Sequence, residues 1–221
     1  MKSLVAIVLT KRYNVSTNTT KEDAMDYAKQ IKEKMKKTGG VITSKEIRDS
    51  NIPTIYLTRM AETGEIIRAD RGIYILPDGD YDEYYFFHKR YKVAIFSYVS
   101  ALHLHQFTDI IPEEIEITVY KGYNPHRISG NVRVRYVTKA IYNLGVTECE
   151  TVFGNTVKVY DLERTICDFV KNRNEIETEL FSKTINKYVR DKNKDLNKLY
   201  EYSKKMKIYE KVKEILEVVY E

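Results

Sequence analysis

The chain has no tryptophan, two cysteines, four prolines and nine glycines in 221 residues. Cys149 and Cys167 make neither a disulfide framework nor a Cys-x-x-Cys pair, so a reducing, cytoplasmic setting is expected. No run approaches the roughly 18 consecutive apolar residues of a membrane helix. The apolar stretch from Leu4 to Leu9 is short for a signal peptide and has no clear small-residue cleavage site. A phosphate-cradling glycine loop and a nuclease-like carboxylate–lysine constellation are also missing, so no cofactor and no catalytic residue are expected. An excess of one charge is scarce too: 37 Lys and Arg against 32 Asp and Glu give +5. Contact with nucleic acid would therefore rest on where the cations sit rather than on their number. What is present is ample apolar material: 43% hydrophobic residues beside 31% charged ones specify a folded core. The nineteen tyrosines carry no functional reading of their own.

Thr19 and Thr20 followed by Glu22 and Asp23 mark a helix start, and Ala24, Tyr27, Ala28, Ile31 and Met35 follow with helical spacing. Lysines 32, 34, 36 and 37 suit its last turns, and Gly39-Gly40 ends it. Residues 39–77 are the most informative stretch: a short helix opened by a Thr43–Glu46 capping box, turn residues Asp49-Ser50-Asn51, and a second helix with Pro53 in its first turn. Two short strands then flank Asp70-Arg71-Gly72. That order is a winged helix-turn-helix. The segment 77–80 reads as a domain boundary. Beyond it the pattern predicts helices over 81–90 and 93–106, strands over 114–120, 132–137 and 156–160, and helices over 161–171, 175–190, 195–204 and 209–219. The expected fold class is α+β: an N-terminal extension (1–19), a winged helix-turn-helix (20–78), and a mixed α/β domain ending in a helical bundle (79–221).

Several residues are candidates for contact. In the second helix of the motif, Ile55, Leu57, Met60 and Ala61 are expected inward, and Thr54, Tyr56, Thr58 and Arg59 outward toward a DNA groove. Thr43, Ser44 and Lys45 begin the first helix and suit a phosphate. Arg68 and Arg71 are wing candidates. The opposing reading is that Thr43 only caps and that Tyr56 packs in the core. Lys121, Arg127, Arg133, Arg135 and Lys139 form a basic run without an intervening acid. Arg133 and Arg135 share one face of a strand, as a row tracking phosphates would. The bland alternative is a solvated edge guarded by charge. His103 and His105 sit two apart and point about 200° apart on a helix, which disfavours a shared metal. Glu113, Glu114 and Glu116 lack a partnered base. Arg164 and Asp168, four apart, pair along a helix capped by Asp161, or else contribute to a binding surface. Cys167 reads as a core thiol.

The blocks GGVITSKEI, IPTIYLTRMAETGEIIRADRGIYIL, KVAIFSYVSALHLHQFTDIIPEEIEITVYKG and VYDLERTICDFVKNRNEIETELFSKTINKY resemble the AbiEi-type antitoxins of bacterial abortive-infection (type IV toxin–antitoxin) systems. The resemblance spans about residues 20–190. It implies a bifunctional protein: a winged helix that binds inverted repeats in its own promoter, in two copies, and a C-terminal domain that counteracts a nucleotidyltransferase-like toxin without requiring a stable complex. It also implies that the C-terminal domain contributes to DNA binding; the basic run is a candidate for that second DNA surface or for an acidic toxin or RNA surface, and the Arg164–Asp168 pair is a candidate for the antitoxin surface. The competing classes are a winged-helix protein-docking module and a DNA-processing enzyme.

Overall fold

A computed structural model describes residues 21–78 and 80–220. The extension 1–19 and the cap candidates Thr19 and Thr20 lie outside them. Among the described residues the fold is mixed α+β, with two sheets. Helix α1 (Lys21–Lys37) is followed by strand β1 (Val41–Thr43), α2 (Ser44–Asp49), α3 (Ile55–Glu62), β2 (Ile67–Asp70) and β3 (Ile73–Ile75). Strand β3 pairs antiparallel with both β1 and β2, giving the order β1-β3-β2. The β1 strand was not foreseen, because three residues are too few to show alternation. Ile31, Met35, Ile47, Leu57, Met60 and Ile66 close a small core beneath these elements.

The second part begins at α4 (Glu83–Arg90), capped by Asp82. It continues through β4 (Ile95–Phe96), α5 (Tyr98–Leu104), β5 (Ile115–Tyr120), β6 (Val132–Val137), a short α6 (Lys139–Tyr142), β7 (Val146–Glu150) and β8 (Thr156–Tyr160). These strands form one sheet in the order β6-β5-β4-β8-β7. The helix expected over 93–106 is therefore corrected: Ile95 and Phe96 form the central strand, held between β5 and β8. Ser97 then breaks the strand, and Tyr98 opens α5 with a φ of 51°. A two-residue strand carries no periodic signal of its own. Strands β5 and β6 pair in parallel, with Glu116 opposite Arg133 and Thr118 opposite Arg135. Parallel neighbours need a crossover of about a dozen residues, which the stretch 121–131 supplies.

Helices α7 (Leu162–Lys171), α8 (Thr178–Arg190), α9 (Leu196–Lys205) and α10 (Tyr209–Tyr220) pack on one another around Ile166, Phe169, Ile185, Tyr188, Leu199 and Val212. Helices α8 and α9 each bury one stripe of spaced positions, as the 3.6-residue period requires, whereas α7 is buried on all sides from Glu163 to Val170. The 175–190 helix starts late because Arg173–Glu175 form a separate 3-10 turn. No helix among the described residues is long and apolar enough to cross a membrane.

Residues on both sides of the segment 77–80 meet in one cluster. Val41 and Ile73 from the first sheet share one cluster with Phe87 of α4, Phe96, Ile117 and Val157. Buried Asp82 accepts hydrogen bonds from the Tyr85 amide (2.9 Å), the Thr151 hydroxyl and the Asn155 amide (2.8 Å). Asn155 also donates to the Thr38 carbonyl at 3.1 Å, and the Asp82 amide donates to Gly39 at 2.7 Å. A Cβ at Gly39 would stand 2.6 Å from the Phe153 ring, so only glycine admits that approach, at a φ of 56°.

Candidate nucleic-acid interface

Thr43 performs the capping role expected of it. Its hydroxyl accepts from the Glu46 amide at 3.2 Å, and the Glu46 carboxylate accepts from the Thr43 amide at 2.8 Å. Glu46 does more than the sequence indicated. Its second oxygen accepts from Tyr85 Oη at 2.6 Å and meets Lys89 Nζ at 2.8 Å, which fastens α2 to α4. Burial opposes ionisation of Glu46, but the hydrogen bonds from Lys89, Tyr85 and Thr43 outweigh it and hold the pKa below the ordinary carboxylate value.

The turn between β2 and β3 comes against the start of α2 because the Ser44 amide donates to the Gly72 carbonyl at 2.9 Å. Gly72 has a φ of 73°, a conformation that suits glycine. Asp70 shapes the same turn from the other side, accepting from the Arg71 amide at 2.6 Å and pairing with Arg90 of α4 at 2.6 Å. The pairing slips between Arg68 and Asp70, a bulge that bends the hairpin. Lys45, Arg68 and Arg71 are exposed, whereas Thr43 and Ser44 are half-buried.

Helix α3 corrects two sequence expectations. Tyr56, expected to face outward, is 3% exposed and packs in the N-terminal core with its ring centroid 5.1 Å from that of Tyr27. Its hydroxyl has no hydrogen-bond partner among the described residues. Ile55, expected inward, is 51% exposed. Both follow from the helical period: Leu57 and Met60 fix the inner face, and Tyr56 lies beside them. The outer face is the stripe Ile55, Thr58, Arg59 and Glu62, spaced three and four apart. Thr54 is half-buried and makes no side-chain cap. The Arg59 guanidinium sits 5.4 Å over the Tyr56 ring, so the buried tyrosine still orients the exposed cation.

The basic run between Lys121 and Lys139 is not a free row of cations. Arg133 and Arg135 do share a face, but that face meets acids from elsewhere. Arg133 pairs with Glu114, and Arg135 sits 3.4 Å from Glu116 and 2.5 Å from Glu175. The Arg135 side chain is only 12% exposed and lies 3.9 Å over the Tyr98 ring. Parallel register puts Glu116 beside these arginines, and a list of residues between 121 and 139 does not show it. Lys121 and Lys139 remain exposed, with Lys139 5.3 Å over the Tyr120 ring. Arg127 lies on a 3-10 turn, Pro125–Arg127, and its side chain falls outside the described residues.

Arg164 and Asp168 are corrected more sharply. Their side chains are 0% and 2% exposed and meet at 3.1 Å, so neither contributes to a surface. The Arg164 guanidinium also donates to the Ile141 and Leu144 carbonyls, each at 2.7 Å, and stacks 4.0 Å over Tyr160. The pair is a buried peg joining α7 to the α6 segment. Burial raises the Asp168 carboxyl above its ordinary value against the pull of Arg164. Asp161 caps α7 as expected, accepting from the Arg164 amide at 2.8 Å. His105 bonds the Tyr160 carbonyl at 2.8 Å and His103 stacks on Tyr84 at 5.9 Å, so the two histidines serve separate contacts. Cys167 is fully buried in the helical core.

Residues 29–77 match the model of a family described as "Transcriptional regulator, AbiEi antitoxin". The match opens inside α1 and closes just past β3, so it covers α2, α3 and the β2–β3 hairpin together. The resemblance to AbiEi-type antitoxins holds over these residues, and the family is one of regulators rather than enzymes. No curated protein matches the chain.

Proposed function

We propose that a chain whose residues 29–77 match the AbiEi-type regulator family works as a DNA-binding autorepressor and antitoxin, without catalysis. The observation that carries this is the coincidence of the family match with an exposed stripe on α3. In this reading residues 20–78 are a winged helix-turn-helix and residues 79–221 the protective part. Helix α3 enters the major groove. Thr58 and Arg59 read base edges, and Ile55 meets thymine methyl groups. Lys45, Arg68 and Arg71 bind phosphates and set the register, and Thr43 holds α2 in place. Two copies occupy inverted repeats in the promoter of the chain's own operon. The C-terminal part counteracts a nucleotidyltransferase-like toxin of an abortive-infection system, in the cytoplasm, without a lasting complex.

A gel shift on the DNA upstream of the operon, against random duplex, tests the reading. Operator binding should exceed random binding, and Arg59→Ala should erode that preference by about 1–3 kcal/mol. Equal affinity for both duplexes removes the repressor assignment. One observation favours a second reading, a docking module: Ile55 and Ile67 expose apolar surface at 51% and 45%. Loss of a protein partner, rather than of DNA, in Ile55→Glu would select it.

A further inference from the structure

Two surfaces in the second half of the chain lie outside the family match and complement each other. The first is the loop between α5 and β5, whose Ile111 is 78% exposed and whose Ile110 is 43% exposed. Residues 110–112 lie outside helix and strand, and Pro112 disfavours a helical Ile111. The Asn131 side-chain amide fastens the far end of the loop at the Glu113 carbonyl. Carboxylates surround the two isoleucines: five glutamates and one arginine, Arg133, line a hollow of about 380 Å³ beside them. Glu114 pairs with Arg133, and Glu116 and Glu175 pair with Arg135. Asp109, Glu113 and Glu177 form no ion pair among the described residues.

The second surface is a cavity of about 510 Å³ between the end of α7, α8 and α10. Its walls are apolar, made by Phe181, Ile185, Ile215 and Val218, the last 69% exposed. Its rim is basic: Lys171, Arg173 and Lys211 stand against a single acid, Glu214. Lys171 and Lys211 form no ion pair among the described residues. The Arg173 guanidinium lies 4.3 Å over the Phe181 ring and so joins rim to wall. None of the described residues 107–114 lines this cavity, so a copy's own loop does not fill it.

An apolar wedge edged by acids and an apolar cavity edged by lysines match in both shape of hydrophobicity and sign of charge. Both also meet the 3-10 turn Arg173–Glu175, with Arg173 lining the cavity and Glu175 the hollow beside the loop. Surfaces that adjoin in this way can be exchanged between two copies about a two-fold axis, and such an interface closes at two. We infer that the chain pairs with a second copy of itself. Each copy places Ile110 and Ile111 in the α7–α8–α10 cavity of the other, with Asp109 and Glu113 against Lys171 and Lys211. The buried isoleucines supply the affinity, and the rim charges set which way round the loop enters. The contact uses no residue of 20–78, so it holds whether or not α3 faces DNA.

Sedimentation velocity of the full chain, without DNA, tests this. The wild type should sediment as a reversible monomer–dimer mixture that shifts toward monomer at high salt. Ile111→Asp should raise the dimer dissociation constant at least about a hundredfold, since each dimer loses two buried isoleucines. Charge reversal reads the pairing directly. Lys171→Glu/Lys211→Glu and Asp109→Lys/Glu113→Lys should each self-associate far more weakly than the wild type. Mixed together they should form a heterodimer, because both exchanged contacts then join opposite charges. A change in folding would not produce pairing that returns only on mixing. A wild type that stays monomeric to about 1 mM overturns the inference. So does a dimer that survives Ile111→Asp and both charge reversals in chains of native circular dichroism, or the lack of a heterodimer on mixing.

Discussion

Replacing Arg164 with Met, Asp168 with Leu, and then both together asks whether this pair is a surface or a peg. Arg164 is wholly buried and its guanidinium has three partners: Asp168 at 3.1 Å and two carbonyls at 2.7 Å. Arg164→Met leaves a carboxylate in an apolar core, where losing one partner of a buried pair costs about 3–5 kcal/mol. The orphaned carbonyls add to this, but Ile141 also accepts from the Leu144 amide, so their share is smaller. About 4 kcal/mol is expected, against a total stability of roughly 5–15 kcal/mol for a folded chain. Asp168→Leu should cost a similar amount by stranding the guanidinium. The double variant removes both charges and should lose less than either single variant, because a hydrophobic pair replacing a buried ion pair is often neutral. Urea unfolding followed by circular dichroism reads the effect as a midpoint shift of more than about 1 M for each single variant at unchanged slope. A surface pair would be worth only about 0–1 kcal/mol. Single losses below about 1 kcal/mol, or a double variant costing the sum of the singles, would refute the buried-peg argument.

Two further outcomes follow from the N-terminal half. Tyr56→Phe removes a buried hydroxyl that has no partner among the described residues. It should leave stability unchanged or raise it by up to about 1 kcal/mol in thermal unfolding, and leave operator affinity intact; a large loss of either would show that the hydroxyl has a role. Glu46→Gln should cost roughly 1–2 kcal/mol at neutral pH. The folded-state pKa of Glu46 is depressed, so its contribution is present above the ordinary value of 4.5 and fades as pH falls through the folded value. The gap between wild type and variant should therefore close in acid, and a gap that stays constant with pH would contradict the linkage.

Much of the run from β1 to β3 could be read from residue order, because its signals are local. The Thr43–Glu46 box and Gly72 each act within a few residues of themselves, although Pro53, expected in the first turn of α3, lies just before its N-cap Thr54. The helices of 161–219 were legible for the same reason, through an apolar stripe. What stayed hidden depends on partners distant in sequence. Nothing near Ile95 announces a central strand; β5 and β8 make it one. Arg133 and Arg135 look unopposed until parallel pairing brings Glu116 alongside. Arg164 and Asp168 look like an ordinary helical pair until Ile141, Leu144 and Tyr160 close over them. On α3, Ile55 and Tyr56 exchanged places because both are apolar enough for the core, and the positions of Leu57 and Met60 decided between them. Glu46 was legible as a cap but not as the anchor of α4, since Tyr85 lies 39 residues away.

The junction around Asp82 has a consequence for the order in which the protein is made. Val41 and Ile73 leave the ribosome long before Phe96, Ile117 and Val157, the residues that cover them. Thr151 and Asn155, which satisfy the Asp82 carboxylate, arrive in the same late segment as Val157. The first sheet must therefore wait, partly uncovered, for a segment about seventy residues downstream of Asp82. A chain interrupted before that segment would carry the family-matched block without the surface that seats it. Under the proposed autorepression, completed molecules and not fragments would then occupy the promoter.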